Sequence, residues 1–393
     1  MKLTILLARA GHTSASLFRI ISEHPDIDLM VYYFSDLGIG KSEKDPQFGI
    51  NINLGTKMLT GFNHKFLKNI SPSFFSHNYG LWLNPGIVSE IVKNKYDAVI
   101  VFGWNSLTSW LTFITCFITN KSVLLYGENP LNQELNKKRF LHGIKRFILK
   151  ILFKKISAFL YMGEENRKFY KFFGVPDKKL FFVPYAMDNK RCQQDFDKLK
   201  NDKEKIKKDL GIDPENPVVL FVGKLTNKKR PLDLLRAFHQ IGENAELVFV
   251  GEGHLRPEME EYIKKNKLSN VHLEGYIPKE DISKYYVAAD IFVLPSGMGE
   301  TWGLVVNEAM NFKLPVIVSE TIGSSSDLVH NRENGFKFRL GDIDRLNQHI
   351  SYLVSHKEER LQMGEESFNL IKKYSHEEDL VGIVKALKYL NIL

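Results

Sequence analysis

Short apolar runs of strand length, each followed by a stretch of helical character, recur along the chain, and this alternation restricts the fold more than any other feature. In the first half the runs are LTILLA (3–8), LMVYYF (29–34), AVIVF (98–102), SVLLY (122–126), AFLYM (158–162) and LFFVP (180–184). Uninterrupted apolar runs of this length suit parallel strands buried on both faces. The pattern begins again with VVLFVG (218–223), LVFVG (247–251), VHLEG (271–275), DIFVLP (290–295) and PVIVS (315–319). A pattern that restarts builds two sheets. The expected fold class is α/β, with two doubly wound, Rossmann-like domains facing across a cleft and ligands at the carboxyl ends of the strands. A two-substrate enzyme closing by hinge motion fits that plan.

The expected boundaries are 1–187 for an amino-terminal domain and 217–375 for a second one. Between them, 188–216 is dense in Lys, Asp and Glu and reads as a charged connection. The tail 376–393 contains DLVGIVKALKYL (379–390), an amphipathic helix able to pack back on either domain, the amino-terminal one being the candidate. With 393 residues, 44% of them hydrophobic, the chain is long enough for two cores.

Charge is divided unevenly. Residues 1–190 hold 25 Lys and Arg against 14 Asp and Glu, a balance of +11, while 191–393 hold 29 against 32, a balance of −3. The first half therefore favours an anionic partner, solvated surface lysines being the plainer alternative. Only Cys116 and Cys192 occur, which argues for a reducing compartment without a disulfide framework. The opening MKLTILLARAG is too short for a signal peptide. One uncharged run, Ala98 to Asn120, reaches membrane-spanning length. Gly103, Asn105 and its many Ser and Thr make it read instead as a strand, a polar turn and a buried helix.

Two segments carry the chemistry. ETWGLVVNE (300–308) follows a strand-like run and leads into helical spacing through Val305, Val306, Ala309 and Met310. Gly303 then falls near the first turn of a helix, where free amides favour a phosphate. Glu300 and Glu308 add two carboxylates for hydroxyl groups, the combination a sugar nucleotide needs. VGKLTNKKRPLDLLRAF (222–238) places Gly223 and the basic Lys224, Lys228, Lys229 and Arg230 at a strand-to-helix turn, able to clamp a diphosphate. A solvated basic loop is the alternative there. GSSSDLV (323–329) starts the turn after PVIVS and could line the same cleft, and ENGFKF (333–338) reads as a turn into a short extended piece.

On these residues the second half resembles the donor domain of family-four glycosyltransferases (glycosyl transferases group 1), retaining enzymes of the GT-B fold. The resemblance rests on VGKL and KKRPLDLL, FVGEG (249–253), LEGYIPKEDISKYYVAADIFVLPS (273–296), the two glutamates and NGF (334–336), and covers nearly all of 217–345. In the first half the strand order, the opening glycine loop and VPYAMD (183–188) are similar to the family. The resemblance implies that Glu300 faces the donor sugar and that Glu308 binds ribose hydroxyls. It implies that amides of Thr301, Trp302, Gly303 and Leu304 help hold sugar and diphosphate, that Lys224 and Lys229 take the two basic positions, and that backbone at Tyr276 and Ile277 meets the nucleobase. The first basic position is more often arginine in the family, and lysine there keeps charge while losing the bidentate fork.

The chain departs from the family where many relatives carry a histidine after the AVIVF strand. Here Gly103, Trp104 and Asn105 stand instead; Asn105 could hydrogen-bond a sugar on the acceptor or cleft side but is no general base. Gly11, His12 and Glu128 are further candidates on the acceptor side; His12 also fits a hydrogen-bonded loop residue, and Glu128 a cap before Pro130. KKRFLHGIKRFILKILFKK (137–155) carries eight Lys and Arg and no acid. Its Phe140, Ile144, Phe147, Ile148, Ile151 and Leu152 share helical spacing, with Lys145, Arg146, Lys150 and Lys154 as its basic contacts. This suits a helix lying on an anionic bilayer, a core-packed helix with a solvated basic face being the alternative. Nucleic acid is a poorer partner, because no recognition motif accompanies the charge.

The expected function is a retaining, hexosyltransferase-type glycosyltransferase. It would move a sugar from a nucleotide-diphosphate donor to a lipid-linked or surface-glycan acceptor, as in polysaccharide biosynthesis. It would be cytoplasmic and peripheral to the inner membrane face, with no cofactor and no metal. Asp-x-Asp triplets at 26–28, 195–197 and 342–344 do not follow strands as a metal-assisted transferase requires, the last fitting a helix start. The rivals are a nucleotide-sugar epimerase of related fold and a non-catalytic sugar-nucleotide or membrane-binding protein.

Overall fold

A computed structural model of the chain describes residues 1–36, 39, 43–44, 51–52, 57–72, 81–135 and 141–393. Phe140 and the lysines and arginine at 137–139 lie outside the described residues. Two compact units emerge: one holds Met1–Lys44, Asn51–Tyr185 and His376–Leu393, the other Ala186–Ser375.

The first unit is built on seven strands: β1 (Lys2–Leu7), β2 (Asp28–Tyr33), β3 (Asn63–Phe66), β4 (Ala98–Phe102), β5 (Ser122–Tyr126), β6 (Ala158–Tyr161) and β7 (Leu180–Phe182). They are parallel, in the order β3-β2-β1-β4-β5-β6-β7. A two-residue antiparallel ladder, Glu43–Lys44 with Asn51–Ile52, stands apart. The apolar runs of the first half are the interior strands, with Leu3, Ile5, Val99, Val101, Leu124 and Phe159 buried. Strand β3 is an addition to the expectation. Its sequence NHKF alternates exposed and half-buried residues, as an edge strand does, and gives no apolar run.

The uncharged run 98–120 resolves into β4, a turn at Gly103 with φ +77°, and the helix Leu107–Ile118, whose Ser106 cap accepts from the Ser109 amide at 3.0 Å. That helix is not wholly buried as expected: Leu107, Ile114 and Ile118 are exposed. Among the described residues no helix is long and apolar enough to cross a membrane.

The second unit has six parallel strands, β8 (Val218–Val222), β9 (Glu246–Val250), β10 (Val271–Gly275), β11 (Ile291–Leu294), β12 (Val316–Ser319) and β13 (Gly335–Phe338), ordered β10-β9-β8-β11-β12-β13. Every residue of β8, β9, β11 and β12 is buried, which is why their sequences read as unbroken apolar runs. In both sheets the strand order reverses beside the first strand of the unit, between β1 and β4 and between β8 and β11. Ligands of open α/β sheets bind at such switch points, at the carboxyl ends of the strands.

The charged segment 188–216 is not a free connection. Its helices Asn189–Leu199 and Lys203–Asp209 belong to the second unit. Gln193 donates to Asn311 at 3.0 Å, Asp195 accepts from Ser283 at 2.9 Å, and Lys203 and Lys207 pair with Asp290 at 2.9 and 3.2 Å. Asp195, Lys203 and Lys207 thus have partners within that unit, which a count of Lys, Asp and Glu cannot reveal. The closing helix His376–Tyr389 lies in the first unit, against β6, β7 and the helix His12–Ser22. It approaches so closely that a Cβ on Gly382 would stand 1.9 Å from the Phe182 carbonyl oxygen.

Candidate functional site

Backbone contact builds the carboxyl edge of the second sheet. A Cβ on Gly251 would lie 2.0 Å from the Gly223 carbonyl oxygen, and one on Gly253 would lie 2.3 Å from that of Leu225. The Gly251 amide donates to Gly275 at 2.7 Å and the Leu225 amide to Glu252 at 2.8 Å. The FVGEG segment thereby locks the loops after β8, β9 and β10 together, a packing that only glycine permits.

At the switch point two loops meet. After β8 the chain turns through Thr226, whose carbonyl accepts from the amides of Lys229 and Arg230 at 2.9 and 3.0 Å. From β11 the Gly297 amide donates to the Lys228 carbonyl at 2.7 Å, fixing the Glu300 loop against the lysine loop. Glu300 is 8% exposed, and its Oε2 lies 2.6 Å from Lys229 Nζ and 3.6 Å from Lys228 Nζ. Burial holds the Lys229 ammonium below the usual lysine range, and the charges of Lys228 and Lys224 push the same way, while Glu300 opposes them. Two ammonium groups thus stand at one carboxylate, and the charge of Lys224 is felt at the nearer of them.

Beside this cluster a helix begins. Gly303, with φ +87°, is its cap, and the amides of Leu304 and Val305 have no partner inside the helix Leu304–Asn311, as at any helix start. GSSSDLV braces the turn from behind: a Cβ on Gly323 would stand 1.8 Å from the Thr301 carbonyl oxygen, the Gly323 amide donates to Glu300 O at 3.1 Å, and Ser324 Oγ donates to Trp302 O at 2.5 Å. Thr301 and Leu304 are partly exposed. The Trp302 side chain is 1% exposed and donates through Nε1 to Asn307 at 2.9 Å. Its indole is core, so only the backbone of that residue can serve a ligand.

Glu308 rides on the same helix with different partners. Tyr286 Oη donates to its Oε2 at 2.6 Å. Burial raises the Glu308 carboxyl, against the lowering effects of the Tyr286 hydrogen bond and the charges of Lys279 and Arg191. Asp188, Arg191, Cys192, Lys279, Tyr286 and Glu308 line a narrow crevice here. Burial also pushes the Cys192 thiol up to about 12, which disfavours its thiolate. Tyr276, 42% exposed, and the partly exposed Ile277 follow β10 at the sheet edge. Sequence reasoning missed Tyr286, Lys279 and Arg191. Lys279 lies three residues beyond Tyr276, but Arg191 sits in the segment read as a connection, where no motif marks it.

In the first unit Gly11 caps the helix His12–Ser22, its carbonyl accepting from the Ala15 amide and Ser14 Oγ, both at 3.0 Å. His12 is the first residue of that helix; its side chain lies outside the described residues. In the loop after β4, Asn105 is exposed, whereas Trp104 is buried and stacked on Phe169 at 5.9 Å. Glu128, partly exposed, follows β5, where Asn166 Nδ2 holds the Gly127 and Asn129 carbonyls at 2.8 and 3.1 Å. Gly11, Asn105 and Glu128 therefore all stand at the carboxyl edge of the first sheet, and the loops of Gly11 and Asn105 flank its switch point.

Of the four expected membrane contacts, Lys145 and Arg146 reach the buried Glu134 at 3.3 and 3.7 Å, while Lys150 and Lys154 are exposed. Among the described residues no group of three or more His, Cys, Asp or Glu is arranged to hold a metal ion. Asp342 caps the helix Ile343–Ser355, accepting from the Arg345 amide at 2.9 Å.

Two parallel-sheet Rossmann-like units make this an α/β protein of the GT-B fold. Anabaena HepE, solved in complex with UDP, superposes with a TM-score of 0.73 over 99% of this chain and 100% of its own, at 18% identity. Residues 202–369 match the family Glycosyl transferases group 1, and the chain resembles its members in the segment that holds the lysine loop and both glutamates. A sulfoquinovosyl transferase of Arabidopsis thaliana is 29% identical over 41% of this chain and 31% of its own length. The UDP-Gal:alpha-D-GlcNAc-diphosphoundecaprenol alpha-1,3-galactosyltransferase of Escherichia coli is 28% identical over 64% of this chain and 65% of its own. The chain thus spans from about a third to just under two thirds of the length of these curated relatives.

Proposed function

We propose that the protein is a glycosyltransferase that takes a sugar from a nucleoside-diphosphate donor held by the second unit. The observation that carries this reading is the Lys229–Glu300 pair at the β8/β11 switch point, with Lys224 and the start of a helix beside it. A diphosphate can compensate the excess ammonium charge, and the helix amides add fixed donors. Glu300 takes donor sugar hydroxyls and Glu308 the ribose. The UDP bound by HepE and the UDP-galactose named for the Escherichia coli enzyme support a uridine diphosphate donor.

The reaction proposed is metal-independent transfer of a hexose with retention. The bond from the anomeric carbon to the diphosphate oxygen breaks, and the acceptor oxygen bonds to that carbon on the same face. The acceptor proton passes to the departing diphosphate, whose charge Lys229 and Lys224 stabilise. The acceptor proposed is a lipid-linked sugar or growing surface glycan at the cytoplasmic face of the membrane. The diphosphoundecaprenol-linked acceptor named for the Escherichia coli relative supports it, as does the exposed basic character of the helix Leu141–Lys155.

The test is to screen labelled nucleotide sugars for binding, slow hydrolysis and transfer, and to read the anomeric configuration of the product. Glu300→Ala and Lys229→Ala should lower transfer by about 10²-fold or more with the fold intact; transfer at wild-type rate by both sinks the assignment. Release of an epimerised sugar from donor alone would make the protein an epimerase. Donor binding without turnover on any acceptor would make it a binding protein.

A further inference from the structure

Four helices cover one face of the first sheet: Gly86–Asn94, Leu107–Ile118, Leu141–Lys155 and Glu164–Phe172. Their inner sides, Ile91, Phe113, Leu152 and Phe169 among them, join one core cluster with Val99, Val123 and Phe159 of the strands. A helix so placed ordinarily turns a polar side to water. The fourth does, with Lys168 and Lys171 exposed, but the other three also set apolar residues outward. Val88 and Val92 are exposed on the first. On the second, Leu107, Ile114 and Ile118 are exposed and share one stripe with the partly buried Leu111, and Ile118 reaches 77%. On the third, Ile144, Phe147, Ile148 and Ile151 are exposed, while Leu152, expected on that outer side, is core.

Charge on this face is graded. The helix Leu107–Ile118 (LTSWLTFITCFI) carries none, whereas residues 141–155 hold five Lys and Arg and no acid. With Lys145 and Arg146 drawn to Glu134, Lys150 and Lys154 line a groove with Phe147, Ile151 and Phe172. Lys155 Nζ lies 5.6 Å over the Phe117 ring, joining the neutral helix to the basic one.

We propose that the apolar outer side of the first three of these helices docks on an anionic lipid monolayer, the uncharged helix Leu107–Ile118 entering the acyl boundary and the basic helix Leu141–Lys155 lying among the headgroups. The charge gradient selects that occupant. A second copy on the same face would set Lys150 and Lys154 against its own lysines or against the uncharged helix, with no acid to pair them, whereas anionic headgroups complement them and hydrocarbon covers the neutral stripe. This extends the membrane contact from one basic helix to an insertion element, and it stands independently of the sugar-transfer reading, because vesicle binding needs no donor.

The experiment is flotation of the full chain with phosphatidylcholine vesicles and with vesicles containing phosphatidylglycerol. Binding to the anionic vesicles only, weakened by salt, is expected. Ile114→Asp with Ile118→Asp should lower partitioning by about tenfold or more, and Lys150→Ala with Lys154→Ala should flatten the salt dependence. Circular dichroism and nucleotide-sugar binding should stay unchanged in both. Failure of the wild type to float, or wild-type flotation of the isoleucine variant, overturns the proposal. So does a dimer in sedimentation velocity that the isoleucine variant dissociates.

Discussion

The two units share a sheet architecture and differ in what they leave exposed. Among the described residues, Tyr276, Met298 and Leu361 are the exposed large hydrophobics of the second unit, and the rest fall in the first, mostly on one helical face. The second unit instead concentrates its unusual chemistry at the carboxyl edge of its sheet, where glycines lock three loops and a carboxylate sits among lysines. A small, charged ligand needs fixed backbone and paired charge. An extended apolar partner needs area, and gets it from helix surfaces. The same fold therefore presents an edge in one unit and a face in the other.

The sharpest way to break that contrast is at the edge. Lys229→Ala removes the ammonium 2.6 Å from Glu300 and leaves that carboxylate largely buried with the more distant Lys228. On the proposed reading kcat/KM for transfer should fall by about 10²- to 10³-fold, with little change in flotation on anionic vesicles. An equal loss of both activities would mean that edge and face are not separate devices.

Glycine positions sharpen it next. Gly251→Ala forces a Cβ to within 2.0 Å of backbone that cannot yield, and should cost about 3 kcal/mol in denaturant unfolding. Gly103→Ala in the first unit meets nothing within 4 Å and pays only for its left-handed φ of +77°, about 1 kcal/mol. A larger loss at Gly103 than at Gly251 would show that the first unit's edge is as tightly locked as the second's.

The same contrast explains what could be read from the sequence. Strands buried on both faces leave unbroken apolar runs, so the interior strands of both sheets and the turn-to-helix setting of ETWGLVVNE were visible. Strand β3 was not, because NHKF is an edge strand with half its residues in water. The segment 189–209 reads as a charged connection because composition does not say that Asp195 pairs with Ser283 or Lys203 with Asp290. The periodicity of LTSWLTFITCFI is apolar nearly all round, which argues burial, and only the fold reveals that Ile114 and Ile118 face outward. Trp302 sat inside a ligand-binding motif, and nothing in its spacing distinguished a packed indole from an exposed one.

The smallest expected effect is the most discriminating about Glu308. Tyr286 donates to its Oε2 at 2.6 Å, leaving the other oxygen for a ribose hydroxyl. Tyr286→Phe should weaken nucleotide binding by about tenfold, the worth of one hydrogen bond to a charged group. The pH profile separates this role from mere packing. Burial has raised the Glu308 carboxyl, and the Tyr286 hydrogen bond is the largest influence opposing it. The carboxylate accepts the ribose hydroxyl, so affinity is present above the raised pKa and is lost as pH falls through it. Removing the hydroxyl raises that pKa further, so the loss in Tyr286→Phe should begin at a higher pH than in the wild type. Stability moves in the opposite sense. A carboxyl raised in the folded state costs stability as pH rises between its ordinary and its raised value, and the variant should widen that window upward. Calorimetric titration of the nucleoside diphosphate across pH reads the first effect and thermal unfolding the second. An unshifted binding profile would remove Tyr286 as the group that positions Glu308.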